Sequence, residues 1–216
     1  MNIERKRKME KCLLVAGGEY ESLKQKEEYD MIIACDKGYE HCLKMNIRPD
    51  LVIGDFDSCE KKPAEGIKVK KLNPIKDDTD TISAVRLALE KGFREIHICC
   101  AFGGRFDHSL ANVQTAVFIA QHGGRAVIMG KDTTLYGLKD EKIELEAVEN
   151  AYISVFAISD VCQKVTIKGT KYEIEKQDLT NAYPIGVSNE WTSEKASISV
   201  EKGILVVVVS KNVKIS

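Results

Sequence analysis

The densest chemical signal in the sequence is the segment Gly54-Asp55-Phe56-Asp57-Ser58, which puts two carboxylates one residue apart. It directly follows the apolar run at residues 51–53, and the carboxyl end of a strand is where open α/β sheets bind their ligands. Two carboxylates this close repel each other unless a cation lies between them. Carboxylates in such a place typically hold Mg²⁺, which in turn holds phosphates, so the pair predicts phosphate chemistry. The alternative is that the pair caps a turn.

Three further polar clusters also follow predicted strands. Asp36 follows the run at 31–34, an acidic cluster at 77–80 begins a predicted helix, and the segment at 103–108 lies between a strand and a helix. Because the carboxyl ends of parallel strands share one edge, we expect all four clusters to meet there. Each has a simpler interpretation, as helix caps for the acids and an ordinary loop for the paired glycines. Arg105 beside those glycines favours an anion site made of backbone N–H groups and a guanidinium.

Gathered on one edge, the acidic residues would repel a polyphosphate unless Mg²⁺ lay between them. The sequence lacks the GxxxxGK[ST] phosphate loop, and Gly17-Gly18-Glu19 after the first predicted strand is not a dinucleotide fingerprint. Among the histidines, His108 alone stands in a candidate site, where a hydrogen bond to a nucleotide or to Asp107 competes with proton transfer as its role. The acids concerned are Asp36, Asp55, Asp57, Asp77, Asp78 and Asp80.

A second group of interest lies near the C-terminus. Trp191, the only tryptophan, follows Ser188 and Asn189. A flat aromatic ring beside small polar residues suits stacking on a planar heterocycle. The alternative is an aromatic residue of the core or of an interface.

The elements that position these residues change type along the chain. Up to about residue 130, apolar runs typical of buried strands alternate with helical patterns. The clearest helix is predicted over 79–91, with Ile82, Val85 and Leu89 on one face, and a second over about 109–122. Beyond residue 130, short strand-like runs dominate.

This pattern predicts an α/β fold in two parts. The first, residues 1–131, is a mainly parallel, Rossmann-like sheet with helices on both faces, and it carries the four polar clusters. The second, residues 132–216, is an all-β sandwich. No linker rich in proline, glycine or serine separates them, so we expect tight packing.

Composition narrows the function further. The formal net charge is −1 over 216 residues, which gives no reason to expect nucleic acid as a partner. The longest apolar run, at 204–209, is too short to span a bilayer. The seven cysteines are odd in number and contain no CxxC pair, which favours reduced thiols in the cytoplasm.

The clusters, taken in order, resemble the thiamine pyrophosphokinase (thiamine diphosphokinase) family. The matching elements run from Asp36-Lys37-Gly38 through GDFDS, the acidic cluster at 77–80 and Gly103-Gly104-Arg105-Phe106-Asp107-His108 to Ser188-Asn189-Glu190-Trp191. The chain departs from the family pattern at Lys37, where glycine is frequent, and at Asp77, where glutamine or lysine is frequent.

The resemblance implies transfer of the diphosphoryl group of ATP to the hydroxyl of thiamine, with Mg²⁺ as cofactor and AMP as the second product. It also implies a homodimer whose thiamine site lies between the α/β domain of one subunit and the β domain of the other. By motif match, the catalytic residues are Asp36, Asp55, Asp57, Asp80 and Arg105, of which Asp55, Asp57 and Asp80 hold the metal. The nucleotide side comprises Asp78, Thr79, Gly103, Gly104, Arg105, Asp107, His108 and Asn112, and the thiamine side Asp36, Asp77, Ser188, Asn189 and Trp191.

Three other functions fit parts of the pattern. One is the same transfer to a different acceptor, such as a pterin alcohol, against which the Ser-Asn-Glu-Trp segment argues. Another is a sensor of thiamine or nucleotide without catalysis, against which the intact acids argue. The third is a structural interaction module.

Overall fold

The computed structural model describes residues 10–23, 28–55, 62–73 and 78–211. Within them it has thirteen strands and three helices. The first part contains β1 (Lys11–Val15), β2 (Met31–Cys35), α1 (Gly38–Lys44), β3 (Leu51–Gly54), β4 (Lys68–Lys71), α2 (Asp80–Glu90), β5 (Glu95–Cys99), α3 (Phe106–Gln121) and β6 (Arg125–Met129). The second contains β7 (Thr133–Lys139), β8 (Lys142–Glu146), β9 (Ala151–Ala157), β10 (Val161–Lys168), β11 (Ile174–Thr180), β12 (Lys195–Ser199) and β13 (Ile204–Lys211).

A nine-stranded sheet is the backbone of the fold, in the order β4-β3-β2-β1-β5-β6-β7-β13-β9. From β4 to β6 every pairing is parallel. The chain builds outward from β1 through β2 and β3 to β4, and then returns to place β5 on the other side of β1. The strand order therefore reverses between β1 and β5, and such a switch point opens a crevice at the carboxyl edge.

Helices cover both faces of the parallel strands, as predicted. Alternate residues of β1 enter different cores, because neighbouring side chains of a strand point to opposite faces. Leu14 packs in the cluster beneath α2 and α3, which includes Val85 and Ile119, whereas Leu13 packs with Tyr39 of α1. None of the three described helices has the length and apolar content that crossing a bilayer requires.

The second part adds an antiparallel layer. A separate four-stranded sheet has the order β11-β10-β12-β8. Its apolar face packs on β7, β9 and β13, so that Ile167 and Ile198 share a core with Leu205 and Val207. The predicted combination of an α/β sheet and a β-sandwich is confirmed, with one difference. One layer of the sandwich belongs to the nine-stranded sheet, because β7 pairs with β6 across the predicted boundary. The division into 1–131 and 132–216 thus falls within one continuous sheet and stays a prediction.

Both predicted helices exist with shifted ends. The first begins at Asp80 and is capped by Thr79, whose hydroxyl oxygen accepts a hydrogen bond from the Ile82 N–H at 3.2 Å. An aspartate of the cluster does lie at the helix terminus, because Asp80 is the first helical residue, but the side chain that caps the helix is that of Thr79. The second begins at Phe106, three residues before the predicted start. Likewise Lys37, not Asp36, is the residue that precedes α1.

Candidate active site

A cleft of about 730 Å³ lies at the carboxyl edge of the parallel strands. It is lined by the ends of β1, β2, β3 and β5 and by the first turns of α2 and α3. Most of the predicted site residues of the first part meet there: Asp36, Asp55, Asp78, Thr79, Asp80, Gly103, Gly104, Arg105, His108 and Asn112. The predicted residues Asp57 and Asp77 lie outside the described part of the chain.

Asp36 and Asp55 follow neighbouring strands, β2 and β3. Asp36 has a φ of 48°, a left-handed conformation that a residue with a side chain seldom adopts, and its N–H donates to the Ile53 carbonyl oxygen at 2.8 Å. A Cβ atom on Gly54 would lie 3.1 Å from Asp36 Cα, so glycine allows the two loops to approach closely. Strained residues of this kind cluster at functional sites, which supports a role for Asp36.

The start of α2 adds a third carboxylate to the cleft. Asp80 is the first residue of the helix, where unpaired backbone N–H groups and the helix dipole stabilise negative charge. Asp78, just before the cap, forms an ion pair with Arg86 at 3.5 Å. The two acids therefore differ, because Asp78 lies before the helix and pairs with Arg86 of α2, while Asp80 is the first residue of the helix.

At the start of α3, Arg105 is held by Asp107. Its Nε donates to Asp107 Oδ1 at 3.1 Å and its Nη2 donates to Oδ2. Chiefly through this hydrogen bond, Arg105 lowers the pKa of the Asp107 carboxyl below its usual value. Both side chains are exposed. Asp107 does not line the cleft, so its observed contact is with the arginine that does.

His108 and Asn112, both in α3, also line the cleft. The His108 backbone N–H donates to Asp107 Oδ1 at 3.0 Å, a contact between neighbouring residues that leaves the role of the His108 ring a prediction. Asn112 Nδ2 donates to the Ala101 carbonyl oxygen at 2.6 Å and so fastens α3 to the loop after β5.

Several cleft residues were not predicted from the sequence. They come from the loop after β1 and from α1: Gly17, Gly18, Glu19, Tyr20, His41 and Lys44. Lys37 and Lys44 add positive charge to a cleft otherwise rich in carboxylates. The Tyr20 ring lies 5.6 Å from the His41 ring, and Lys44 Nζ lies 5.5 Å from the centre of the Tyr20 ring.

His41 of α1 is a buried polar residue beside the cleft, only 2% exposed. Its Nε2 lies 2.9 Å from the Gly18 carbonyl oxygen, an acceptor, so Nε2 carries the proton. Nδ1 has no hydrogen-bond partner among the described residues. Burial lowers the pKa of His41, so the imidazole is neutral at physiological pH and ties α1 to the loop after β1.

The donor set of the cleft suits a hard cation. Within the described ranges, no group of three or more His, Cys, Asp or Glu side chains stands close enough to hold a metal. Asp55 and Asp80 nevertheless line one cleft, and Mg²⁺ is usually bound by one or two carboxylates together with substrate phosphates. The oxygen donors present therefore fit Mg²⁺ bound with a nucleotide.

The predicted thiamine-side residues of the second part form a separate group. Asn189 is 3% exposed and its side chain is fully engaged: Nδ2 donates to Thr170 Oγ1 at 3.0 Å and to the Tyr172 carbonyl oxygen at 2.7 Å. Its Oδ1 accepts from the Tyr172 and Glu190 N–H groups, each at 3.0 Å. The Ser188 N–H donates to Ser154 Oγ at 3.0 Å. Asn189 thus joins two turns of the β part.

Trp191 lines a different hollow, of about 770 Å³, between residues 147–152 and 190–194. Its ring packs against the core of the β-sandwich, the one that contains Leu205 and Val207. Its Nε1 has no hydrogen-bond partner among the described residues. Within one chain, the structure does not bring Ser188, Asn189 or Trp191 into the cleft that holds Asp36 and Asp80.

Two protein-family models match this chain, one over each part of the fold. Residues 22–128 match the family described as "Thiamin pyrophosphokinase, catalytic domain", and residues 140–205 match "Thiamin pyrophosphokinase, vitamin B1 binding domain". The chain is 30% identical to the thiamine pyrophosphokinase of Bacillus subtilis (strain 168) over 190 residues, which cover 84% of this chain and 88% of the relative.

Solved structures show the same likeness. A crystal structure of the Bacillus subtilis thiamine pyrophosphokinase superposes with a TM-score of 0.86 at 27% identity, covering 94% of this chain and all of that one. The yeast thiamin pyrophosphokinase superposes with a TM-score of 0.70 at 13% identity, over 96% of this chain and 88% of that one, which shows a shared fold.

Proposed function

The chain belongs to the thiamin pyrophosphokinase family, and we propose that the cleft at the carboxyl edge of its sheet is where it transfers a diphosphoryl group from ATP to thiamine. The products are thiamine diphosphate and AMP. One observation carries this proposal: four residues that follow four different strands, β2 to β5, line one cleft. They are Asp36, Asp55, Asp80 and Arg105.

In this reaction the hydroxyl oxygen of thiamine attacks the β-phosphorus of ATP. A new oxygen–phosphorus bond forms, the bond from the β-phosphorus to the oxygen it shares with the α-phosphorus breaks, and AMP leaves with that oxygen. We propose that Asp36, held in its strained conformation after β2, orients the hydroxyl and accepts its proton. Positioning of the two substrates and stabilisation of charge account for most of the catalysis.

The acidic residues of the cleft and its arginine have different roles in this proposal. Asp55 and Asp80, with Asp57, hold Mg²⁺, which when bound neutralises phosphate charge and aligns the transferred group. Arg105 uses part of its guanidinium on Asp107, and its remaining N–H donors are available to phosphate oxygens. Asp78, Thr79, Gly103, Gly104, His108 and Asn112 complete the nucleotide side, and Asp77 the thiamine side.

Product identification tests the reaction. The purified protein is incubated with ATP, Mg²⁺ and thiamine, and products are identified by mass. We expect equal amounts of thiamine diphosphate and AMP. ADP with thiamine monophosphate would make the enzyme a simple kinase, and tight thiamine binding without product would make it a sensor. A pterin alcohol as the better acceptor would move the proposal to the alternative substrate.

We further propose that the enzyme is a homodimer in which the segment that carries Ser188, Asn189 and Trp191 in one subunit faces the cleft of the other. Their separation from the cleft within one chain supports this arrangement. The surface near them also carries exposed apolar side chains, which favour association. These are Tyr172, Tyr183, Ile185 and Val187.

Mixing two inactive variants tests the shared site. Asp80→Asn and Trp191→Ala homodimers are mixed, exchanged and assayed. If each site takes Asp80 from one subunit and Trp191 from the other, one of the two sites in each mixed dimer is intact, and about a quarter of wild-type activity returns. A mixture that stays inactive although sedimentation shows dimers that exchange would refute the shared site.

We also propose a cytoplasmic location. The six cysteines of the described part are free thiols, and reduced thiols are the rule in the cytoplasm. Alkylation of protein released from freshly opened cells, followed by mass analysis, tests this: every cysteine should be found reduced.

A further inference from the structure

The loops after β1 and β5 are joined by hydrogen bonds that continue the sheet beyond its last paired residues. The Gly18 N–H donates to the Cys100 carbonyl oxygen at 2.8 Å, and the Glu19 N–H to the Phe102 carbonyl oxygen at 3.1 Å. A side chain makes the next bond in the series, because the Gly104 N–H donates to Glu19 Oε1 at 3.0 Å. These bonds cross the switch point between β1 and β5.

The Glu19 side chain lies against the glycine pair. Gly103 and Gly104 have φ angles of 86° and 67°, in the region that favours glycine. A Cβ atom on Gly103 would lie only 2.4 Å from Glu19 Cδ, so the glutamate occupies the space next to the loop. The carboxylate therefore binds one of the backbone N–H groups that the sequence assigned to phosphate.

Two roles are compatible with a carboxylate in this place. Glu19 either occupies the phosphate position until ATP displaces it, or it fixes the loop in the form that ATP binds. The backbone of Glu19 is itself bonded to Phe102, so the residue is anchored to the same loop at two points. The bonded Gly104 immediately precedes Arg105, so the bond fixes the main chain from which that side chain extends. An anchored clamp next to the arginine favours the second role.

We propose that Glu19 is a positioning residue that clamps the glycine loop and so directs Arg105 towards the phosphates of ATP. This role rests on the proposed function of the cleft. It does not require the carboxylate to touch substrate. It requires an oxygen acceptor for the Gly104 N–H, which glutamine also supplies and alanine does not.

Hydrogen exchange of the Gly104 amide tests the clamp without any assay of activity. In the wild type and in Glu19→Gln we expect slow exchange, and in Glu19→Ala an increase of at least about tenfold, since the acceptor is lost. Glu90→Ala, at the far end of α2, serves as a matched control and leaves the rate unchanged. Equal exchange in the wild type and Glu19→Ala would overturn the clamp.

Kinetics then test what the clamp does. In Glu19→Ala we expect the KM for ATP to rise about five- to tenfold with a smaller loss of kcat and an unchanged KM for thiamine, and Glu19→Gln should restore the KM to within about twofold. A lower KM for ATP in both variants would show that Glu19 competes with phosphate. An equal defect in both would show that charge matters rather than the bond. Absence of thiamine diphosphate formation by the wild type would instead refute the proposed function, while the exchange result would still stand.

Discussion

Replacing Asn189 with alanine separates two explanations of its importance, direct contact with thiamine and support of the surrounding turns. Its buried side chain makes four hydrogen bonds, to Thr170, Tyr172 and Glu190. Thr170 is 3% exposed, so its hydroxyl loses a partner without gaining water, at a cost of about 1–3 kcal/mol. Tyr172 is 64% exposed and its main chain is partly rescued by solvent.

The expected loss of stability for Asn189→Ala is therefore about 2–4 kcal/mol. For a chain of this size each kcal/mol lowers Tm by about 2–4 °C, so we expect a decrease of about 5–15 °C. Asn181→Ala is the matched control, because Asn181 is exposed and its Nδ2 makes only longer bonds, at 3.2 and 3.5 Å, to Asp160 and Ile158. That variant should change stability by less than about 0.5 kcal/mol.

Thermal unfolding and the KM for thiamine are measured on both variants. The structure predicts that Asn189→Ala loses stability and raises the KM for thiamine together. The turns that carry Tyr172 and Trp191 lose the side-chain bonds between them and are joined only by main-chain bonds and one exposed ion pair. A variant with wild-type stability and a tenfold higher KM would refute this reasoning and make Asn189 a direct contact.

Three more measurements follow from the described contacts. Asp80→Asn should lower kcat by at least about 100-fold. Loss of the charge at the helix terminus costs about 0.3–1 kcal/mol, so Tm should fall by no more than about 4 °C, as steady-state kinetics with thermal unfolding will check. Arg105 lowers the pKa of Asp107 in the folded state, so their pairing stabilises the fold at pH values above 3.8, the usual pKa of this carboxyl. That stabilisation is lost as the pH falls through the lower pKa of the folded state. NMR titration of the Asp107 carboxyl carbon should give a midpoint below 3.8, and in Arg105→Ala the midpoint should rise towards 3.8. Burial raises the pKa of Cys12 and of Cys42 to about 12, so iodoacetamide near neutral pH should modify both only after unfolding, as peptide mass mapping will show.

Much of the fold could be predicted because its strands are continuous apolar runs. The predicted strand at 31–34 lies within β2, and the apolar run at 51–53 lies within β3. The start of α3 was harder to predict from the sequence, because Phe106 is an exposed apolar residue that does not belong to the buried face of the helix. The sequence gives little sign of β11, because most of its residues are polar and exposed.

The candidate site could be predicted where a residue's type and its place after a strand were sufficient. Asp36, Asp55 and Arg105 are such residues, and they do line one cleft. Glu19 could not be found in this way, because its partner Gly104 is 85 residues distant in the sequence. His41 was missed for the same reason, since its bond to Gly18 exists only once α1 packs beside β1.

The most direct test of the central claim follows the oxygen of the thiamine hydroxyl. Thiamine that carries a heavy oxygen isotope at this position is incubated with the enzyme, ATP and Mg²⁺, and both products are analysed by mass. Attack by the hydroxyl on the β-phosphorus predicts that all the label remains in thiamine diphosphate, that AMP is unlabelled, and that Asp80→Asn forms neither product at a comparable rate. Label in the nucleotide product, or release of ADP in place of AMP, would contradict the account.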